Sequence, residues 1–491
     1  MKLFARITML ILPLTVAAQA QIKRFDHIVV IVQENRTPDN LFQGLCAPPY
    51  GSSGSCNTMP SGSQYNIQTS DWLNKAAPGG KTQPGNVSLT AKYDLGHGHP
   101  DFVAMCDLTG SACKMDGAAG VACKPKNVCK KTGKYPQFML VENSGGLLNP
   151  YLELAKQYGW ANYMFQTNQG PSFPAHQFLF GGTSAPTTLD DAKGVFASEN
   201  MSGTGISGAG APAGCTAPDG PPPKPQTRVK LIDSTGSETA LTPIYPCFEH
   251  DTMGDLLSST SWKFYAPNAT SIWTAPNAIK HICVSSGPGG HCTGTEWSDH
   301  VDLTSADVLR DINNCKLPAV SWVIPTGQNS DHANDNDGGG PSWVASIVNG
   351  IGHSSTCDNN KGYWENTAIF LTWDDWGGWY DHEPPTILPS PEGGYQYGFR
   401  VPLIVISAYT PAAYVDNGRF DFGSILRYIE HNAGIQEGAL NFADARAKTE
   451  SDLTGFFNLA GPARIFKEIQ APKDANFFLT DKRAPKDPDD D

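Results

Sequence analysis

No Cys-x-x-Cys pair occurs in the 491 residues, which sets aside a zinc ribbon and a thioredoxin-type redox centre. Basic residues are scarce as well, 35 Lys and Arg against 48 Asp and Glu. A phosphate backbone needs clustered positive charge, so nucleic acid is excluded as a partner. An anionic substrate would have to be drawn in locally, by a metal or histidines. Past residue 20 no apolar run is long enough to span a bilayer, and no transmembrane segment is expected. The first apolar run, MLILPLTVAA, is short, flanked by Lys2 and Arg6, and closes on Ala18-Gln19-Ala20. That pattern predicts a signal peptide over residues 1–20 and export to the periplasm or beyond the cell. Cleavage would take the net charge from −13 to −15. Twelve cysteines suit an oxidising compartment, and their even number predicts disulfide staples on loops whose pairing the spacing does not reveal.

Four apolar runs, Ile28–Val32, AVSWVIP (319–325), TAIFLTW (367–373) and VPLIVIS (401–407), lack the alternation of half-exposed strands. Such runs are expected where helices cover both faces of a sheet. Helical patterns accompany them in PYLELAKQYGW, TSADVLRDINNC, PSWVASIVNGIG and DFGSILRYIEHNAG. In TSAD, Thr304 and Asp307 resemble a capping box, and EHNAG closes its helix on Gly434. The expected fold is α/β, a three-layer sandwich with a mostly parallel central sheet and long disulfide-tied loop insertions. One domain over 21–475 would carry irregular insertions at about 45–135 and 185–245, the latter with the Pro-rich run 221–223 and Pro225. An acidic, disordered tail is expected over 476–491.

In open α/β sheets ligands bind beyond the carboxyl ends of the strands. The first strand runs into Gln33-Glu34-Asn35-Arg36, AVSWVIP into a loop with Asp331 and His332, and TAIFLTW into Asp374-Asp375. Neighbouring acids on a strand point to opposite faces. Two of them converge only where the backbone turns, as Gly377-Gly378 permits. Ser172, in GPSFPAH, sits at an expected helix start, where it is either an N-cap or a hydroxyl poised for attack on an anion. It lacks the Gly-x-Ser-x-Gly frame of an esterase elbow. His97 and His99 fall in a glycine loop, and His281 in another polar loop. NSDHANDNDGGG is no EF-hand: Gly338 at the sixth position puts Ala333 first and Val344 last, without end ligands.

FDHIVVIVQENRTPDNLFQG, GPSFPAH, LPAVSWVIPTGQNSDH, TWDDWGGWYDHEPP, YGFRVPLIVISAY and GSILRYIEHNAG together resemble the bacterial phosphoesterase family. That family holds phosphatidylcholine-type phospholipases C and secreted acid phosphatases, with a core like the alkaline-phosphatase superfamily. The resemblance implies a metal-dependent phosphoric ester hydrolase with Ser172 as nucleophile. Glu34, Asp374 and Asp375 would hold one divalent metal ion, and Asn35 would bind phosphate and the metal. His97 and His332 would bind phosphate or protonate the leaving oxygen, and His281 would match one member of a His-His pair. The sequence departs from the family at Asp375 (usually Glu), at Ile282 (the second His of that pair) and at Phe422 (His in many relatives). The chain ends soon after Gly434, as single-domain acid phosphatases do. The substrate would be a small phosphate ester or a phospholipid headgroup, with Trp376, Trp379 and Tyr380 as an aromatic wall for choline or as packing. A sulfatase is not supported, since Ser172-Phe-Pro174 runs on to Ala175 and His176. The competing reading is a secreted binding protein on the same scaffold with a decayed site.

Overall fold

The computed structural model describes residues 24–109, 112–204, 213–220, 226–238, 241–257, 260–385, 397–446 and 452–486. The predicted signal peptide, the Pro-rich run 221–223, Pro225 and the last five residues lie outside them.

An eight-stranded sheet forms the centre, from β1 (His27–Gln33), β2 (Gly159–Phe165), β3 (Trp262–Tyr265), β4 (Val301–Asp302), β5 (Val320–Val323), β6 (Thr367–Trp373), β7 (Leu403–Ile406) and β8 (Tyr414–Asp421). Their order is β4-β3-β5-β1-β6-β7-β2-β8, and β7 alone among them runs against the rest. All four apolar runs of the sequence lie in this sheet. In β1 every residue after His27 is buried, and β6 is buried throughout. The seven parallel strands aim their carboxyl ends at one edge.

Helices α1 (His99–Cys106), α2 (Asn149–Gln157), α3 (Ser172–Gly181), α4 (Asp307–Asn313), α5 (Gly340–His353), α6 (Phe422–Ala433) and α7 (Ala475–Thr480) surround the sheet. The two faces separate on β6. Trp373 meets Tyr151 of α2, whereas Phe370, an odd number of residues away, meets Tyr428 of α6. Helix α5 joins α2, α4 and α7 in one layer, and α3 packs with α6 in the other. Six disulfides form: Cys46–Cys56, Cys106–Cys113 and Cys123–Cys129 in the first insertion, Cys215–Cys247 at the second, and Cys283–Cys292 and Cys315–Cys357 outside both.

Three local expectations change. The capping box read in TSAD does not form: α4 begins after Ala306, and the Asp307 N–H donates to the Thr304 carbonyl oxygen. Capping boxes occur instead at Thr252/Asp255 and at Asp421/Ser424, which opens α6, and Gly434 closes α6 with φ 73°. PYLELAKQYGW is not helical to its end, because Tyr158 turns extended and Gly159 starts β2. The tail expected to be disordered from 476 is helical in α7, capped by the Asp474 carboxylate, with Phe478 buried against Trp343. Arg483 then pairs with Asp337, tying the described end of the chain back to the domain.

Candidate active site

Parallel pairing of β1 and β6 sets Gln33 opposite Trp373, so Glu34 and Asp374 leave the sheet side by side. The Asp374 N–H still donates to Gln33 O (3.0 Å), after which both chains turn. Asn35 has φ 63°, Gly377 φ 61° and Gly378 φ 71°. The close approach is tight: a Cβ on Gly377 would lie 2.3 Å from the Asn35 carbonyl oxygen. The turn lets the two aspartates part. Asp374 Oδ1 accepts from the Asn35 N–H (3.1 Å). Asp375 Oδ1 accepts from Gly377 N–H (2.7 Å), and its Oδ2 accepts from Ser172 Oγ (3.1 Å).

Ser172 is the first residue of α3 and not its N-cap, which is Pro171 with no side-chain cap bond. One turn later on the same helical face, His176 brings Nε2 to 3.2 Å from Glu34 Oε1 and 3.8 Å from Asp374 Oδ2. Glu34, His176 and Asp374 thus form a buried candidate metal-binding group, with one ligand atom from each all within 4.8 Å. Asp374 Oδ2 has no hydrogen-bond donor among the described residues. A buried carboxylate oxygen left so is costly unless a cation faces it.

The histidines sharpen this test. His97 Nδ1 faces Leu95 O (2.8 Å), and His332 Nδ1 faces Ala333 O (2.7 Å). A carbonyl only accepts, so each Nδ1 carries the proton, and a neutral ring then offers a lone pair at Nε2. The Asn35 amide nitrogen lies 3.2 Å from both Nε2 atoms and can donate to each. Its carboxamide oxygen then stands 3.1 Å from Asp374 Oδ1 and 3.3 Å from Glu34 Oε2. Turning the amide over satisfies the carboxylates only if both imidazoles are cations. With neutral imidazoles, three oxygens meet without a proton between them, and an oxygen-rich ring of that kind suits a hard divalent ion.

A model of the Phosphoesterase family matches residues 25–436. The chain belongs to the phosphoesterase family. It is similar to non-hemolytic phospholipase C of Burkholderia pseudomallei, 29% identical over 38% of this chain and 29% of that one. Phospholipase C B of Mycobacterium tuberculosis is 31% identical over 32% of each. The match therefore spans about a third of the length of these curated relatives. Among solved structures, an alkaline phosphatase superfamily protein from Vibrio parahaemolyticus aligns over 60% of this chain and 63% of its own, at 11% identity and TM-score 0.32.

Not every residue expected in the phosphoesterase site comes to it. His281 lies half-exposed, with Nδ1 on Glu249 Oε1 (2.8 Å) and Nε2 on Asp255 Oδ2 (3.2 Å). Its neighbours Ile282 and Cys283 take the buried positions and turn it outward. Asp331 faces away from the carboxylates, accepting from Trp373 Nε1 (3.0 Å), and burial pushes it up to about 6. Trp376, Trp379 and Tyr380 are fully buried and make no open wall. Tyr380 stacks on Trp72 and Phe138, Trp379 lies under the Arg36 guanidinium, and Trp376 meets Phe399. A second acidic group, Asp39, Asp381 and His382, is already served by Arg400, whose Nε and Nη2 donate to Asp381. His176 carries no role in the sequence reading, although its place four residues after Ser172 was visible in GPSFPAH. Beside the site, a cleft of about 260 Å³ opens between His97, Pro171 and Glu199, with Lys124 and Lys230 on its wall.

Proposed function

We propose that this protein is an exported, metal-dependent phosphoric ester hydrolase that attacks phosphorus with Ser172. The observation that carries the reading is Ser172 Oγ, at the first position of α3, hydrogen-bonded to Asp375 next to Glu34, His176 and Asp374. One divalent cation held by these three side chains, with Asp375 and the Asn35 carboxamide oxygen beside it, would neutralise phosphate oxygens and favour the serine alkoxide. Asp375 orients Oγ and takes up its proton as the Oγ–P bond forms. The N-terminus of α3 would face the phosphate, whose negative charge the helix dipole favours. His97 and His332, whose Nδ1 protons are fixed by carbonyls, present Nε2 to the phosphate. One of them, neutral in the empty site, takes a proton at Nε2 as the anionic ester enters and gives it to the departing alcohol oxygen as its bond to phosphorus breaks. Water then displaces Ser172 from the phosphoserine and releases phosphate.

The substrate is a small phosphate ester or a phospholipid headgroup. Burial of the three aromatic residues, which leaves no aromatic wall for choline, favours a small monoester over a choline ester. The test is hydrolysis of p-nitrophenyl phosphate and p-nitrophenylphosphorylcholine by wild type and Ser172→Ala, with and without EDTA. Turnover that EDTA and the substitution both abolish is expected, with the monoester preferred. Turnover that survives Ser172→Ala refutes the serine, and no turnover with any added divalent ion moves the reading to a decayed binding protein.

A further inference from the structure

Two adjacent residues outside the family's motifs reach the two halves of the site. Glu199 Oε1 accepts from the His99 N–H (2.9 Å), the first N–H of α1, two residues after His97. The fit is close, since a Cβ on Gly98 would lie 2.7 Å from Glu199 Oε2. Asn200 Oδ1 accepts from the Phe173 N–H (2.9 Å), the residue after Ser172 in α3. Both residues line the cleft that opens on His97 and Pro171. The other side of the His97 loop is held by pairing of Asp94-Leu95 with Cys123-Lys124, so Glu199 closes the remaining side.

We propose that Glu199 and Asn200 are positioning residues that hold His97 at a fixed distance from Ser172, Glu199 through the His97 loop and Asn200 through the nucleophile helix. The proposal rests on the serine hydrolase reading above. A catalytic pair on separate segments needs such a brace, because a misplacement of about 1 Å costs on the order of a hundredfold in rate. No side chain of α1 or α3 itself caps either helix start.

The brace is sensitive to pH. Glu199 is mostly buried, and its carboxyl neighbours that of Glu238, which accepts from Ser198 Oγ (2.7 Å) and pairs with Lys230. Burial first, then the Glu238 charge, pushes Glu199 up to about 8. The other charged or titratable groups around it are His99, His97, Asp101 and Lys124, and Asp101 is tied to the Ala122 N–H. Below pH 8 the pair shares a proton and the clamp is closed; above it the repulsion between the two carboxylates acts against the strengthened His99 N–H bond and pushes Glu199 off the loop.

The test is the pH profile of kcat and KM for p-nitrophenyl phosphate in wild type, Glu199→Ala, Glu199→Gln and Asn200→Ala, with thermal melts to confirm folding. Glu199→Ala and Asn200→Ala should lower kcat by tenfold to about a hundredfold, with KM within about threefold. Glu199→Gln, which mimics the protonated acid, should keep kcat at pH 6–7 and lose the part of the alkaline decline near pH 8 that Glu199 ionisation adds to the decline set by the proton-donating histidine. Glu199→Ala retaining wild-type kcat, Glu199→Gln falling equally far, or an unchanged alkaline decline would each overturn the brace. Inorganic phosphate affinity, measured by calorimetry in the Ser172→Ala background, separates this from failure of the serine reading. Glu199→Ala should weaken it and Glu199→Gln restore it even if Ser172 proves dispensable, and equal affinity in both overturns the proposal.

Discussion

Gly377 is the residue on which the split of the two aspartates depends, and Gly377→Ala puts numbers on it. Its φ of 61° costs an L residue about 1–2 kcal/mol. The added methyl would also sit 2.3 Å from Asn35 O and 2.7 Å from Asn35 Cβ. Relief to ordinary contact moves the Asn35 segment by roughly 1 Å, and Asn35 bonds His97 and stands against Glu34 and Asp374. A shift of that size corresponds to about a hundredfold loss of kcat, or about 2.7 kcal/mol. Gly145→Ala is the control, because Gly145 has φ 69° with nothing within 4 Å of the new methyl. Both variants should melt a few degrees low, but only Gly377→Ala should lose p-nitrophenyl phosphate turnover. Gly377→Ala within threefold of wild type would refute the claim that this turn sets the site.

Two further perturbations test charge. Arg400→Met strips the guanidinium from fully buried Asp381 and leaves Asp39 to His382 alone, and should cost about 3–5 kcal/mol in denaturant unfolding. Burial already holds Asp381 up at about 6, so without the guanidinium it protonates at low pH, and the loss should be smaller at pH 5 than at pH 8. An equal loss at both would show that Asp381 is not the group left charged. His281→Gln should leave turnover unchanged, since His281 bonds Asp255 and Glu249 outside the site. Asp255, with Glu249, raises His281 to about 9, above its unfolded value, so its contribution is full below about pH 6.5 and gone as pH rises through 9. The variant should therefore melt slightly lower at pH 6, by less than about 1 kcal/mol, and like wild type at pH 10.

The parts of this molecule legible in the sequence are those whose signal is local. Continuous apolar runs marked β1, β5, β6 and β7, because a strand covered on both faces has no polar side to show. β2 escaped because Asn162 and Tyr163 interrupt its apolar pattern. The Asn162 amide is satisfied by Gln64 O and Asn417, partners nearly a hundred or more residues away. Within the site, Glu34, Asp374 and Ser172 announced themselves by standing at strand and helix ends. Family resemblance alone proposed His281, and it failed to predict its surroundings because the pattern it matched had lost its second histidine to Ile282. His176 is the reverse case: helical periodicity placed it under Ser172, but its meaning required knowing that β1 and β6 are neighbours in parallel register. Once Gln33 lies opposite Trp373, Glu34 and Asp374 must emerge together, and the residue one turn below the serine is the one that meets them. The chemistry of such a site is thus written in pairs of segments, and what a single segment leaves open is which strand lies next to it.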